Sequence, residues 1–344
     1  IASIDIGGGT TDLSITTYEL ASGEGDTARI VPHTEFRDGF NIAGDEVARE
    51  VVLQHVIPAV SDALQARGVQ EPRLLLAQLL GRDTAFAVED PGYPKIRQVY
   101  RACGAACVPI PLDGQGIDPA ALAASGAGAL HISPNHQYPT GLVTPIARRQ
   151  ALLRWAEDTG GTIIEDDYDS EFRFTGRPIP TLQSIDARGR VVYLNTFSQT
   201  ISPSMRLGFL VLPPRLLERY RRNLGFYACT VPALEQHVLA RFISGGHYER
   251  HLARMRKEYR ERRGAVLEEG AGLHFLLTLD TARSDDELRR LTSAAGLRLS
   301  FLSEYADRPD SVPAHTLVVN YAGLSQSHLP EAVHLLETIL FPLL

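Results

Sequence analysis

Two stretches of this sequence decide the fold that we expect: IIEDDYDSEF at residues 163–172 and NTFSQTISPSMRLGF at residues 195–209. The first starts as an apolar strand and passes at once to acids and a phenol, among them Asp166 and Tyr168. Ligand-facing residues of an open α/β sheet lie just beyond the carboxyl ends of its strands. In the second stretch, hydroxyl side chains surround Gln199 and a cation follows: Ser198, Thr200, Ser202, Ser204 and Arg206.

These residue types match the needs of pyridoxal phosphate (PLP), a cofactor that acts as an electron sink. An acid beside the pyridine nitrogen keeps that nitrogen protonated, and a phenol or an amide can hold the ring hydroxyl. Hydroxyl groups and a guanidinium can hold the phosphate. The two stretches therefore predict a PLP-type pocket at one end of a sheet.

The rest of the chain predicts an α/β fold. From about residue 68, short apolar strands alternate with helices, as in TAFAVED at 84–90 and KIRQVYRACG at 95–104. This alternation is typical of a mainly parallel sheet with helices on both faces. An Arg-rich helical stretch follows, broken at Gly245–Gly246, and then a small α+β domain. We expect three parts: an N-terminal β-hairpin and helix at 1–65, a truncated large domain at 66–262, and a small domain at 263–344.

Composition narrows the class of protein. The chain has 344 residues, 44% of them hydrophobic and 22% charged, which is typical of a soluble protein of two or three domains. Its net charge of −7 argues against broad electrostatic binding of nucleic acid. The three cysteines suggest a reducing, cytoplasmic setting and no metal site. No apolar run is long enough for a membrane span, and the first residue, Ile1, suggests a fragment.

A separate motif opens the chain. DIGGGTTDLSI at residues 5–15 holds an acid, three glycines and two threonines at a tight turn, where backbone amides and hydroxyls can close on a phosphate. It resembles the phosphate hairpin of the actin, Hsp70 and sugar-kinase ATPases. With EFRDGFNIAGDEVAREVVLQHVIPA at 35–59, the first sixty-odd residues resemble the SrfB-type virulence factors, with a helix expected from Gly44 to Leu64. The candidate phosphate residues are Asp5, Gly7, Gly8, Gly9, Thr10 and Thr11.

The alternative for this motif is an inert glycine turn in a β-hairpin. An ATPase of that superfamily needs two facing lobes, and residues 1–65 provide one hairpin and one helix. We therefore do not expect nucleotide hydrolysis from this part of the chain.

From about residue 74 onward, five motifs carry a second resemblance: VEDPGYP, SPNHQYPTG, IIEDDYDSEFRF, the run FSQTISPSMRLGFLVLP, and GGHYERHLARMRKEYRERR. Together they resemble the aminotransferase-like domain of the MocR/GabR-type bacterial regulators of the GntR family. The resemblance implies a fold-type I, PLP-dependent transferase-like domain that binds an amino-acid or amine effector. It also implies a homodimer, and DNA contact only through a winged-helix domain that this chain lacks.

The resemblance assigns roles to four residues around the PLP ring. It implies that Asp166 pairs with the pyridine nitrogen and that Tyr168 bonds the ring hydroxyl, with Asn135 supporting the same oxygen. Tyr93 is placed near the ring or the incoming amine. The residue types alone do not decide these roles, because Asp167 or Asp169 could be the paired carboxylate and Asn135 could simply form a turn.

The phosphate side is assigned to Ser198 and Arg206, although Arg206 could instead lie on the surface. His131, His136, His247 and His251 show no ligand geometry, and we expect ordinary hydrogen-bonded or solvated roles for them.

The chain departs from the family at three points. Gln199 occupies the position of the Schiff-base lysine, and a carboxamide nitrogen is delocalised and not nucleophilic. ARGVQEPR at 66–73 stands where the relatives begin a helix at the phosphate with a Gly-Thr/Ala-Gln-Gln segment, so a helix N-terminus that anchors phosphate is missing. HTLVVNYAGLS at 315–325 lacks the arginine that clamps the substrate carboxylate.

Four hypotheses follow. The first is an effector-sensing domain that binds PLP noncovalently, without transaminase turnover. The second is an active class I/II aminotransferase in which Lys95 replaces the missing amine, since the other lysine, Lys257, lies in the helical stretch after the sheet. The third is an actin-like ATPase or interaction module built on residues 1–65. The fourth is a nonfunctional chimera. A natural fusion, a misassembled gene and a deliberate chimera all fit the abrupt join.

Overall fold

The protein is described here by a computed structural model. It covers residues 2–6, 11–22, 28–40, 72–81, 83–172, 179–205, 207–226, 229–264, 273–320 and 329–340. Its contacts divide the chain into two compact units, Ile1–Gln70 and Glu71–Leu344.

The N-terminal unit contains an antiparallel sheet of three strands in the order β1-β2-β3: β1 (Ala2–Ile6), β2 (Thr11–Ser22) and β3 (Ala28–Phe40). The β1–β2 pair agrees with the predicted hairpin, with Ile6 opposite Thr11. The third strand was not predicted, because Pro32 and Gly39 interrupt its alternation and read as turn residues. The helix predicted from Gly44 to Leu64 lies outside the described residues.

The larger unit is built on a seven-stranded sheet in the order β10-β9-β8-β7-β4-β5-β6. The five strands from β9 to β5 run parallel, and the short strands at the two edges pair antiparallel. The α/β fold predicted from the sequence is confirmed. The strands are β4 (Phe86–Asp90), β5 (Cys107–Asp113), β6 (Gly116–Ile117), β7 (Ala129–Ile132), β8 (Thr162–Asp166), β9 (Val191–Thr196) and β10 (Gly208–Val211).

Helices connect these strands and cover both faces of the sheet. They are α1 (Pro72–Leu80), α2 (Pro94–Ala102), α3 (Pro119–Ala124), α4 (Ile146–Thr159), α5 (Leu182–Ile185), α6 (Pro214–Asn223), α7 (Ala233–Ser244) and α8 (His247–Gly264). The predicted break in the Arg-rich stretch is confirmed, because α7 ends just before Gly245 and Gly246 has a positive φ of 66°. No helix in the described ranges is long and apolar enough to cross a membrane.

The sheet core has two layers because successive strand residues point to opposite faces. On one face, Ile163 and Val191 pack with Leu152 and Trp155 of α4. On the other face, Ile164 and Val192 pack with residues of α1, α2 and α6. Strand β8 is buried along its whole length, which explains its continuous apolar start and places its acids at a buried edge.

The C-terminal part of the larger unit pairs β11 (His274–Thr278) with β12 (Thr316–Asn320) in an antiparallel ladder. Helices α9 (Asp285–Ala294) and α10 (Leu329–Leu340) contribute to a small core around Leu288, Phe301 and Leu317. Two short 3-10 turns, Leu302–Tyr305 and Pro309–Ser311, lie between α9 and β12. Between α9 and these turns, Phe301 forms an isolated antiparallel bridge with Leu317.

Candidate functional site

The predicted site residues lie at the carboxyl ends of neighbouring parallel strands. Tyr93 follows β4, Asn135 follows β7, Asp166 ends β8 with Tyr168 two residues later, and Ser198 follows β9. Because β4, β7, β8 and β9 are adjacent in this order, these residues come to one edge of the sheet.

Asp166 is buried and contacts a histidine on the neighbouring strand. Its Oδ2 lies 3.2 Å from Nε2 of His131, and Nδ1 of that ring lies 2.8 Å from the Tyr100 hydroxyl. His131 is 1% exposed and Asp166 is 6% exposed. His131 thus has the hydrogen-bonded role expected from the sequence, and its ring contacts the candidate carboxylate.

Asp167 is occupied by donors from the protein itself. Its carboxylate accepts hydrogen bonds from the Asn135 amide at 2.8 Å, the Ser170 hydroxyl at 2.9 Å and the Tyr193 hydroxyl at 2.6 Å. Three donors leave this carboxylate little capacity for a ligand. These bonds also fix Asn135 beside the end of β8.

Asp169 pairs with His136, with 2.7 Å between Oδ2 and Nδ1. Burial raises the pKa of Asp169, and the histidine opposes that rise. The Tyr168 hydroxyl donates to the His136 backbone carbonyl at 2.9 Å, so it contacts the residue that directly follows Asn135. Burial, together with the charges of Asp169 and Asp166, raises the pKa of Tyr168 well above its usual value, so the phenol stays protonated.

Tyr93 belongs to the turn after β4 and is 37% exposed. Its ring packs edge-on against Tyr138, with 5.7 Å between the centroids. Tyr138 lies in the loop that carries Asn135, and the buried Gln137 amide in that loop donates to the Pro91 carbonyl at 2.9 Å. The two loops are therefore joined, and Tyr93 is placed next to the Asn135 loop.

The β9 side of the site is more open. The Ser198 hydroxyl lies 2.9 Å from the Thr196 hydroxyl, and Gln199 is exposed. Arg206, the predicted phosphate ligand, lies outside the described residues, as do Gly7, Gly8, Gly9 and Thr10 of the N-terminal motif. Asp5 and Thr11 lie on β1 and β2.

The two lysines occupy different elements. Lys95 is exposed in the first turn of α2, two residues after Tyr93, and Lys257 is exposed on α8. Within the described ranges, no group of three or more His, Cys, Asp or Glu side chains could hold a metal ion.

Sequence reasoning missed two buried charged residues beside the site. Arg149 is fully buried and donates to the carbonyls of Thr144 and Pro134, the two ends of the Asn135 loop, while its Nη1 lies 3.8 Å from Glu165. Glu89 accepts from the Ser133 backbone N–H at 3.2 Å. A charged residue within an apolar helix face or at the end of an apolar strand is the signal that could have found them.

Burial raises the pKa of both buried glutamates, Glu89 and Glu165. It raises the pKa of Glu89 to about 8, with only the Ser133 and Gln137 hydrogen bonds as the main opposing effects. It raises the pKa of Glu165 to about 7, against the backbone N–H groups of Gln183 and Leu182. Glu89 therefore remains largely protonated near neutral pH.

The residues present fit the ring of PLP by their chemistry. A buried carboxyl group, a protonated phenol and a side-chain amide, which are the groups that hold the pyridine nitrogen and the ring hydroxyl, meet at one edge. Asp166 ends its strand at this edge and contacts His131, Asp167 accepts three hydrogen bonds, and Asp169 pairs with His136. For the phosphate, the described residues offer the Ser198 hydroxyl.

The chain is similar in sequence to several transcriptional regulators. The chain is 35% identical over 287 residues to the HTH-type transcriptional regulator YdeL of Bacillus subtilis, covering 78% of this chain and 61% of the relative. It is 32% identical to the probable rhizopine catabolism regulatory protein MocR of Rhizobium meliloti, covering 81% and 59%. It is 35% identical to the pyridoxine biosynthesis regulator PdxR of Corynebacterium glutamicum, covering 69% and 54%. The chain thus spans about three fifths of the length of the first of these relatives and less of the others.

Solved aminotransferases share the fold. The kynurenine aminotransferase of Pyrococcus horikoshii, determined with PMP, superposes with a TM-score of 0.66 at 24% identity, covering 82% of this chain and 74% of that one. LysN of Thermus thermophilus, an α-aminoadipate aminotransferase complexed with N-(5′-phosphopyridoxyl)-L-leucine, gives 0.65 at 22% identity, covering 87% of both.

At the N-terminus, the model of the virulence factor SrfB family matches residues 1–99. Both resemblances expected from the sequence are confirmed. The chain is similar over most of its length to MocR-type transcriptional regulators, has the fold of the PLP-dependent aminotransferases, and begins with a stretch that matches SrfB.

Proposed function

We propose that the larger unit is the aminotransferase-like, effector-sensing domain of a MocR/GabR-type transcriptional regulator, which binds PLP noncovalently and does not carry out transamination. The observation that carries this proposal is the group formed by the buried Asp166 and the half-buried Tyr168 and Asn135 at the carboxyl edge of the sheet, in a chain similar to MocR-type regulators. The carboxamide of Gln199 cannot supply the amine on which turnover depends.

Each part of the site has a proposed task. Asp166, which is hydrogen-bonded to His131, keeps the pyridine nitrogen protonated, and Tyr168 and Asn135 hold the ring hydroxyl. Ser198 and Arg206 hold the phosphate, and Tyr93 lies near the ring or the incoming amine. When bound, PLP supplies the electron-withdrawing ring and an aldehyde that can react with an effector amine.

The wider assignments are part of the same proposal. The effector is an amino acid or another amine, the protein acts as a cytoplasmic homodimer, and DNA contact comes from a helix-turn-helix domain of the kind named in the relatives. Residues 66–262 form the large domain and residues 263–344 the small one.

A PLP titration tests this proposal. Isothermal titration should show saturable PLP binding, and treatment with borohydride followed by mass spectrometry should leave the protein without a covalent adduct. Absence of binding at millimolar PLP would refute cofactor binding. An adduct on a lysine, abolished by Lys95→Ala and kept by Lys257→Ala, would instead support the aminotransferase alternative.

A second candidate function belongs to the N-terminal unit, where the match to SrfB and the β1–β2 pair favour phosphate binding at residues 5–11. ATP binding that is lost on Gly8→Val, with the PLP titration unchanged, would support it. No ATP binding, together with a broad unfolding transition for the whole chain, would support the nonfunctional chimera.

A further inference from the structure

The C-terminal part of the larger unit contacts the Asn135 loop through His274, whose Nε2 lies 3.1 Å from the Pro139 carbonyl. It also contacts the turn that carries Tyr93, through residues 302–311. We call residues 90–93 the Tyr93 turn and residues 302–311, which include both 3-10 turns, the strap. The strap leaves the small core at Phe301, which is fully buried, and returns to it at β12. Its position is therefore set by the C-terminal core.

Two hydrogen bonds from backbone N–H groups fix the strap to the Tyr93 turn. The Gly92 N–H donates to the Tyr305 carbonyl at 3.0 Å, and the Asp307 N–H donates to the Asp90 carboxylate at 2.7 Å. Burial raises the pKa of Asp90, and the Asp307 N–H and Arg97 oppose that rise. The turn and the strap thus each accept one hydrogen bond from the other.

Arg97 is the centre of this contact. Its guanidinium, on a residue that is 8% exposed, donates to the Tyr305 carbonyl at 3.1 Å and to the Asp307 carboxylate at 3.3 Å. It also lies 3.7 Å from the Asp90 carboxylate. A planar guanidinium can serve several acceptors at once, which a lysine ammonium cannot do in the same geometry.

A third contact links the strap to the ring-binding side. The Tyr305 hydroxyl lies 3.2 Å from the Tyr138 hydroxyl, and the two rings pack edge-on at 5.4 Å. Tyr138 in turn packs against Tyr93. The strap therefore touches the Tyr93 turn and the Asn135 loop together.

We propose that the strap positions the Tyr93 turn through Arg97 and Asp307, so that the affinity of the site for its ligand depends on the docked strap. This inference rests on the proposed function and concerns how ligand binding at that same site is regulated. Because coupling between two equilibria is reciprocal, a ligand that prefers the docked turn must also stabilise docking. Ligand binding is thereby conveyed to the C-terminal core.

Asp307→Ala tests the proposal, with Asp310→Ala as a matched control. Asp307 and Asp310 are both exposed and three residues apart, and only Asp307 has an ion pair within the described part of the chain. Hydrogen exchange of the ligand-free proteins should show the Gly92 amide exchanging about fivefold faster in Asp307→Ala than in Asp310→Ala, the effect of one charge-assisted bond. Unchanged exchange at Gly92 would overturn the docking contact.

PLP binding supplies the second readout. Asp307→Ala should weaken PLP binding by about fivefold, and saturating PLP should slow exchange of the Gly92 amide in the wild type by a similar factor. A role confined to stability would lower the melting temperature and leave PLP affinity and PLP-induced protection unchanged, which would overturn positioning. If the wild type binds no PLP, the proposed function fails and the affinity part of this inference fails with it, while the ligand-free exchange still decides the contact.

Arg97→Lys keeps the positive charge and removes the planar guanidinium group. It should weaken PLP binding at least as much as Asp307→Ala, because it also disturbs the bond to the Tyr305 carbonyl. The double variant should lose less than the sum of the two single losses, because the Arg97–Asp307 bond is common to both substitutions. Additive losses of PLP affinity in the double variant would mean that Arg97 and Asp307 act independently, which would contradict the proposal.

Discussion

The two sides of the candidate site differ in how firmly the protein holds them. Beside β7 and β8, Asp166 is 6% exposed and backed by His131, and Asn135 is tied to Asp167. Beside β9, Ser198 is half-buried and Gln199 is exposed.

This difference indicates which residues of the site are kept in place by the protein that packs around them. The acids and the amide of the ring side are joined to one another and to the core, so their loss would leave buried polar groups unsatisfied. Among the described residues, no hydrogen bond holds the exposed Gln199 side chain in the same way. Under the proposed function, the site therefore keeps the residues for binding PLP and lacks the amine for transamination.

The largest expected effect comes from restoring the amine on the open side. Gln199→Lys should convert reversible PLP binding into a borohydride-trapped adduct of about one PLP per chain, because a lysine amine is nucleophilic and a carboxamide is not. Mass spectrometry measures the adduct. The control is Gln150→Lys on the exposed face of α4. Equal trapping in both variants would mean that residue 199 does not face a PLP site.

On the firmly held side, Arg149→Met should cost about 3–5 kcal/mol of unfolding free energy, because it leaves Glu165 and three backbone carbonyls without their buried partner. Arg154→Met, at an exposed position of the same helix, should change stability by less than about 0.5 kcal/mol. Urea denaturation gives both values. A small loss for Arg149→Met would show that the Asn135 loop is held by other contacts.

The pH dependence of stability tests the firmly held side of the site in another way. With the pKa of Glu89 raised from 4.5 to about 8, the folded state binds a proton that the unfolded state has released, so stability falls as pH rises from about 4.5 to 8. Glu89→Gln removes this dependence and should be more stable than the wild type at pH 8.5, by about 4–5 kcal/mol. Melting temperatures from pH 5 to 8.5 measure the difference. Parallel curves for the two proteins would contradict a buried, protonated Glu89.

The smallest expected effect is at Ser198. Ser198→Ala removes a hydroxyl bonded to Thr196 at a half-buried position, so stability should change by about 0.5 kcal/mol. PLP binding should weaken by about threefold if that hydroxyl reaches the phosphate. Ser244→Ala, exposed on α7, is the control and should leave PLP affinity unchanged. An identical affinity in both variants would remove Ser198 from the phosphate site.

Much of the fold could be predicted because its signals are local. Strand β8 is buried on both sides and is accordingly apolar until its acids, and the helix break at Gly246 coincides with a positive φ. Strand β3 was missed because its alternation is interrupted by Pro32 and Gly39, so no local signal separates it from a loop.

The candidate site was predictable as a set of residues and not as a set of contacts. Three acids lie within four positions, at 166, 167 and 169, and the sequence left open which of them faces a ligand. Their partners His131, Tyr193 and His136 come from other segments. The Arg97–Asp307 bond joins residues 210 positions apart, a distance over which no sequence pattern operates.

The most direct test of the central claim, that the ring side is already formed around Asp166, is the PLP dissociation constant of Asp166→Asn against that of Asp158→Asn, an exposed position on α4. The asparagine keeps the size of the side chain and removes the charge that favours a protonated pyridine nitrogen. We expect PLP to bind Asp166→Asn about tenfold more weakly than the wild type, with Asp158→Asn unchanged. Equal affinity in all three proteins would contradict the account.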